Sequence, residues 1–284
     1  ILEKSIIYKN PPKYHQEELM GSIQLQINKP KIVVSVDIIR PPQQILALNY
    51  TIIYSHSNAE NLLTIRPWIE ALSRVFQCVV VCYDYAGYGL NTGKPSEKSS
   101  NIIAQEVYNY ISNQFPNNKI ISWGRSIGST PAINLASNNV VEYLIVESGL
   151  SSAFETLWAK PKLFGDKFKN KDVIKKVRAK CLIIHGTEDE TVPFRCSLRN
   201  FYSLKKDDDE IRMQFDEKGV QRLMCQNVHH VSIHGGQHND LNTAYEEVFL
   251  EEILRFLGDD FRNCQIKNKN LTQKTTKIRS LKRQ

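Results

Sequence analysis

A chain of 284 residues with 41% hydrophobic content is long enough to bury one substantial core, and no run of 18 apolar residues is present to cross a membrane as a helix. The net charge of +7 resides in residues 263–284, which hold Lys267, Lys269, Lys274, Lys277, Arg279, Lys282 and Arg283 and no acid. The body is therefore neutral and lacks the basic face of a nucleic-acid binder. The six cysteines show no C-x-x-C pair and no His/Cys metal spacing, which argues against structural zinc and for a reducing, intracellular setting.

Alternation over 22–27 predicts a half-exposed strand, and 31–39 a second one ended by Pro41-Pro42. From there apolar strands alternate with amphipathic helices. Strands are expected over 51–54, 79–83, 119–123, 143–146, 180–184 and 228–233. Helices are expected over 61–76, around Ile103, Val107 and Ile111, over 126–137, and over about 240–257. The last carries Tyr245, Val248, Phe249, Ile253 and Phe256 on one stripe and stops at Gly258. This rhythm predicts an α/β fold, a mostly parallel central sheet with helices on both faces. One domain over 1–262 is followed by a basic tail, 263–284, expected to be disordered when free. Two stretches break the pattern. Residues 150–175 hold Leu150, Phe154, Leu157, Trp158, Leu163 and Phe164, and either cap and line a pocket or pack as a short core helix. Residues 204–225 read as a polar insertion loop.

The run Gly124-Arg125-Ser126-Ile127-Gly128 lies between a predicted strand and a predicted helix. Such a run turns so sharply that the serine takes a strained backbone conformation, and a Cβ at either glycine would strike its neighbours. The Ser126 hydroxyl then stands at the carboxyl end of the sheet, and the Ile127 N–H points where a carbonyl oxygen would become negative. An activated serine needs a base, and the base an orienting acid, each on a loop after a later strand. Asp189 follows the 180–184 strand in His185-Gly186-Thr187-Glu188-Asp189, with Glu188 as its rival. His238 follows the 228–233 strand in the glycine-rich loop Gly235-Gly236-Gln237-His238, which favours it over His234. His229 and His230 lie within a strand and read as packing residues. Asp84 precedes the serine and reads as a loop brace. A second oxyanion donor is expected from the loop after the 51–54 strand, at Ser57 or Asn58.

These segments, with Tyr54-Ser55-His56-Ser57-Asn58-Ala59-Glu60, Tyr83-Asp84-Tyr85-Ala86-Gly87-Tyr88-Gly89 and Gly93-Lys94-Pro95-Ser96-Glu97, resemble successive signatures of one α/β-hydrolase subfamily. That group is alpha/beta-hydrolase domain-containing protein 17, serine hydrolases that remove palmitoyl groups from proteins. The likeness runs over about 11–257. It implies an α/β-hydrolase fold with Ser126 as nucleophile, Asp189 as acid and His238 as base. Three departures stand out. Ser57 replaces the glycine of the family's His-Gly-Asn-Ala, Glu147-Ser148-Gly149 replaces its His-Ser-Pro, and the 204–225 segment is longer. The family's N-terminal cysteine cluster is not in this chain, which begins at Ile1.

The resulting expectation is a serine hydrolase cleaving acyl esters or thioesters, palmitoyl-protein thioesterase-like, with no metal or cofactor. A lipid esterase or serine peptidase uses the same three residues, and a non-catalytic binder on the same scaffold is the alternative that Ser57 raises. The expected partners are an acylated protein or small acyl ester; the basic tail is either simply solvated or, as the functional alternative, drawn to an anionic membrane surface. The expected setting is the cytoplasm or the cytosolic membrane face.

Overall fold

Ten strands form one sheet in a computed structural model that describes residues 8, 9, 11, 13–15, 18, 21–29, 31–43, 47–157 and 166–264. In chain order they are β1 (Ile23–Asn28), β2 (Lys31–Ile39), β3 (Tyr50–Ser55), β4 (Val79–Tyr83), β5 (Lys119–Arg125), β6 (Tyr143–Glu147), β7 (Lys180–Gly186), β8 (Arg212–Phe215), β9 (Val220–Met224) and β10 (Val228–Ile233). Their spatial order is β1-β2-β4-β3-β5-β6-β7-β10-β9-β8. The six central strands run parallel, while β1-β2 and β9-β8 add antiparallel edges. Both faces of the central strands are covered, so β3, β4 and β6 are buried at every position and read as continuous apolar runs.

Alternation along those strands divides the core. Ile53, Val81, Tyr83, Leu144, Val146 and Ile183 face one side, where α2 (Glu97–Gln114) and α3 (Ser129–Asn138) pack with Ile103, Val107, Ile111 and Ile133. Ile52, Tyr54, Val80, Trp123, Ile145, Leu182 and Ile184 face the other, against Ile65, Ile69 and Leu72 of α1 (Leu62–Phe76) and Phe249, Ile253 and Leu257 of α5 (Glu246–Leu257). Each such side chain contributes about 1.5–3 kcal/mol by leaving water. Local sequence starts the helices. Asn61 and Thr64 exchange side-chain and backbone hydrogen bonds at the head of α1, and Ser96 and Ser99 do the same for α2.

Two expectations need correction. The 204–225 segment is not simply a polar loop. It contains the β8-β9 hairpin, turned at Asp216-Glu217-Lys218-Gly219, where the Asp216 carboxylate accepts the Lys218 and Val220 N–H groups and Gly219 has φ 76°. Its anchor is a buried Arg222, whose guanidinium bonds Glu252 of α5 through two contacts of 2.6 Å and Asp216 at 2.6 Å. The final helix starts at Glu246, not near 240, because the Asp240 carbonyl takes the Thr243 and Tyr245 N–H groups into turns. Beyond Gly258 a further short helical stretch, 259–264, buries Phe261 and Cys264.

The six cysteines are buried thiols. Among the described residues no helix is long and apolar enough to cross a membrane, and no group of three or more His, Cys, Asp or Glu residues is arranged to hold a metal. Residues 158–165, with Trp158, and most of the basic tail, 265–284, lie outside the described residues.

Candidate active site

The parallel strands end on one side of the sheet, and Ser126, Asp189, His238 and the Ser57-Asn58 loop follow the carboxyl ends of β5, β7, β10 and β3 there. β5 delivers Ser126 through a short 3-10 turn, Ser126–Gly128, that feeds α3. Ser126 has φ 54°, the left-handed region that costs a non-glycine residue of order 1–3 kcal/mol. The flanking glycines make room for that turn. A Cβ on Gly124 would come within 2.7 Å of the Ala132 Cβ, and one on Gly128 within 2.6 Å of the His56 carbonyl oxygen at the end of β3.

The loops after β7 and β10 bring the other two groups to the serine. His238 Nε2 lies 3.0 Å from Ser126 Oγ, and His238 Nδ1 lies 2.7 Å from Asp189 Oδ2. Because the carboxylate accepts at Nδ1, the neutral ring carries its proton there and presents the Nε2 lone pair to the hydroxyl. Asp189 is itself held. Its Oδ1 accepts the Thr191 and Val192 N–H groups at 2.9 and 2.8 Å, and His185 Nε2 stands 3.1 Å from Oδ2. Burial alone would raise the Asp189 carboxyl, but hydrogen bonds from His185 and His238 outweigh it and hold the group well below the usual carboxylate range. A permanent anion behind the imidazole is the consequence. The rivals are turned away. Glu188 and His234 are exposed, and His230 is buried against Ser197. Asp84 accepts the Leu62 N–H at the head of α1 and the Tyr14 hydroxyl, which is a brace.

A cleft of about 430 Å³ opens beside Ser126 and His238, lined by Ile127, Ser57, Asn58, Leu150, Val192 and Lys9 among others. All three residues expected to supply oxyanion donors therefore face it. The Ser57 N–H, however, donates to Glu60 Oε2 at 2.7 Å, so this amide is already engaged. Behind the loop, His56 Nδ1 donates to the Ser57 carbonyl and the Tyr85 hydroxyl to the His56 carbonyl, which fixes its path. The Asn58 Oδ1 accepts from the Lys9 N–H and the Tyr88 hydroxyl. From the 150–175 segment, Leu150, Ala153 and Thr156 line the cleft, the last two from α4 (Ala153–Leu157).

Three residues went unread in the sequence. His185 touches the acid, and Arg125 and Glu60 sit beside the serine loop. His185 lies near the end of β7, four residues before Asp189, a spacing that could have signalled it. Arg125 occupies the variable position of the serine motif and sent no such signal.

No family model matches the chain. Over 193 residues it is 32% identical to alpha/beta hydrolase domain-containing protein aho-3 of Caenorhabditis elegans, a match covering 63% of this chain and 55% of that one. Alpha/beta hydrolase domain-containing protein 17B of Homo sapiens is 29% identical over 219 residues, 75% of this chain and 68% of that one. The chain thus spans from 55% to 68% of the length of these curated relatives. An esterase of Pyrococcus furiosus superposes with a TM-score of 0.65 at 16% identity, over 88% of this chain and 98% of its own. A serine hydrolase homologue from Coxiella burnetii superposes with a TM-score of 0.62 at 15% identity, over 85% and 100%. At such identities the superpositions speak for the fold, and the sequence matches for the closer kinship. The chain thus has the α/β-hydrolase fold, and alpha/beta hydrolase domain-containing protein 17 is among its sequence relatives.

Proposed function

We propose that this protein is a serine hydrolase that cleaves acyl esters or thioesters through a covalent acyl-enzyme. The observation that carries the reading is the chain of contacts from Ser126 Oγ to His238 Nε2 at 3.0 Å and from His238 Nδ1 to Asp189 at 2.7 Å, opening on a cleft. In this reading His238 takes the Ser126 proton as Oγ attacks the acyl carbon, and the imidazolium so formed is stabilised by Asp189. The oxyanion meets the Ile127 N–H and a second donor from the Ser57-Asn58 loop. His238 then gives its proton to the leaving thiol or alcohol, and later activates the water that frees Ser126.

Acyl thioesters on proteins are the favoured substrate class. Their support is the resemblance in sequence to the palmitoyl-removing subfamily, together with the apolar Leu150, Ala153 and Val192 on the cleft wall. A fluorophosphonate probe tests the reaction class, because only an activated serine reacts. Labelling that disappears in Ser126→Ala is the expected result; an unlabelled parent protein would favour a non-catalytic binder. A panel of acyl-thioester, oxyester and peptide substrates on the purified protein then tests the substrate class, with the thioester expected to turn over fastest.

A further inference from the structure

Beside the serine lies a buried charged cluster that the reaction above does not use. Arg125 is 4% exposed and reaches three parts of the molecule. Its Nη1 donates to Glu60 Oε1 at 2.6 Å, and Glu60 Oε2 in turn accepts the Ser57 N–H at 2.7 Å. Its Nη2 donates to the His238 carbonyl at 3.2 Å and to Asn239 Oδ1 at 2.9 Å. Its Nε stands 3.3 Å from Glu147 Oε1, on the neighbouring strand at the paired position. Glu147 Oε2 accepts the Trp123 indole N–H at 2.9 Å. Removing a guanidinium from water costs several kcal/mol unless its fork is well paired. Here the two Nη atoms bond the loop after β3 and the loop after β10, while Nε faces the Glu147 carboxyl at the end of β6 as an ion-pair neighbour without a hydrogen bond.

We propose that Arg125 is a positioning residue that holds the Ser57-Asn58 loop and the His238 loop in register with Ser126, with Glu60 and Glu147 as its carboxylate partners. The proposal rests on the hydrolase reading above. Its physical basis is that the nucleophile, base and oxyanion donors come from three different strands, so their mutual geometry depends on cross-links between loops. Arg125 is covalently joined to Ser126 and bonded to the backbone of His238 itself, so a shift of either loop is transmitted to the reacting atoms. A planar fork suits this task. A lysine ammonium cannot meet acceptors lying in three directions around a plane.

The test uses the purified full chain, with Arg125→Gln, Arg125→Lys, Glu60→Gln, Asn239→Ala and the Glu60→Gln/Asn239→Ala pair in both parent and Arg125→Gln backgrounds. Turnover of an acyl thioester gives kcat and KM, and urea midpoints report folding. Parent turnover that vanishes in Ser126→Ala first establishes the hydrolase reading, whose failure is thereby seen separately. The expected result is a fall in kcat of about 100-fold for Arg125→Gln with KM little changed, and no rescue by Arg125→Lys. In the parent background the loss in the pair should depart from the product of the single losses by about tenfold, and in the Arg125→Gln background the losses should multiply. A merely structural arginine would lower the urea midpoint and leave kcat at the parent value. That outcome overturns the proposal, as does full rescue by lysine. Should Arg125→Gln fail to fold, the Glu60–Asn239 coupling decides alone, and strictly multiplicative losses in the parent background overturn it.

Discussion

Glu147→Gln should lose less stability than the parent as pH rises from acid to alkaline, although it removes an ion-pair partner of Arg125. Glu147 is 1% exposed at the end of β6. Burial raises its carboxyl from an ordinary 4.5 to about 7, against the opposing pull of the Arg125 charge and the Trp123 hydrogen bond. A carboxyl that holds its proton more tightly folded than unfolded contributes stability that is complete below pH 4.5 and lost as pH rises through about 7. The full span corresponds to about 3 kcal/mol, of which about 2 kcal/mol falls between pH 5 and pH 8. Glutamine keeps the volume and an oxygen for the Trp123 N–H but cannot ionise. Urea unfolding of both proteins at pH 5 and pH 8 measures the effect, and all other titrating groups cancel in the comparison. The variant should gain about 2 kcal/mol on the parent over that interval. An unchanged difference, or a gain by the parent, would show that Arg125 compensates the buried carboxylate fully, and the argument from burial would fail.

Ser126→Ala should cost ~10⁴-fold or more in hydrolysis and abolish fluorophosphonate labelling while the protein stays folded; labelling that persists would remove Ser126 as nucleophile. His238→Ala should approach that loss while His234→Ala is mild, and Asp189→Asn should be severe while Glu188→Gln is weak; steady-state kinetics that reverse either ranking would mean the wrong neighbour. Gly128→Ala drives a methyl into the Ser55 and His56 carbonyls, so it should destabilise by about 3 kcal/mol by urea unfolding, and a neutral result would deny the tight elbow. His230 is wholly buried, and burial, with the nearby His185 charge, lowers it from 6.5 to about 3. Its contribution is complete above pH 6.5 and lost on acidification toward pH 3, about 5 kcal/mol in all, so His230→Gln should lower the acid-unfolding midpoint, read by circular dichroism.

What the sequence determined alone was whatever depends on near neighbours. Strands buried on both faces show as nearly unbroken apolar runs, because little but apolar side chains fits there, and helices show by their stripes. The elbow was legible because Gly124, Ser126 and Gly128 fall within four residues of one another, although what the Gly128 Cβ would strike, the Ser55 and His56 carbonyls, lies at the end of β3, distant in sequence. Asp189 and His238 could be picked because each follows a strand in the order the chemistry requires. The choice against Glu188 and His234, however, is a matter of which side chains turn inward, and burial is a property of the folded whole. The β8-β9 hairpin escaped because its hold is Arg222 against Glu252, thirty residues away, while its own Met213 and Phe215 are exposed and give no inward pattern. The Arg125 cluster escaped for the same reason. Glu60, Arg125, Glu147 and Asn239 are scattered along the chain, and only the parallel sheet, by bringing the carboxyl ends of β3, β5, β6 and β10 to one side, makes them neighbours. Charge pairing over such separations leaves no period in a sequence; it exists once the backbone has closed.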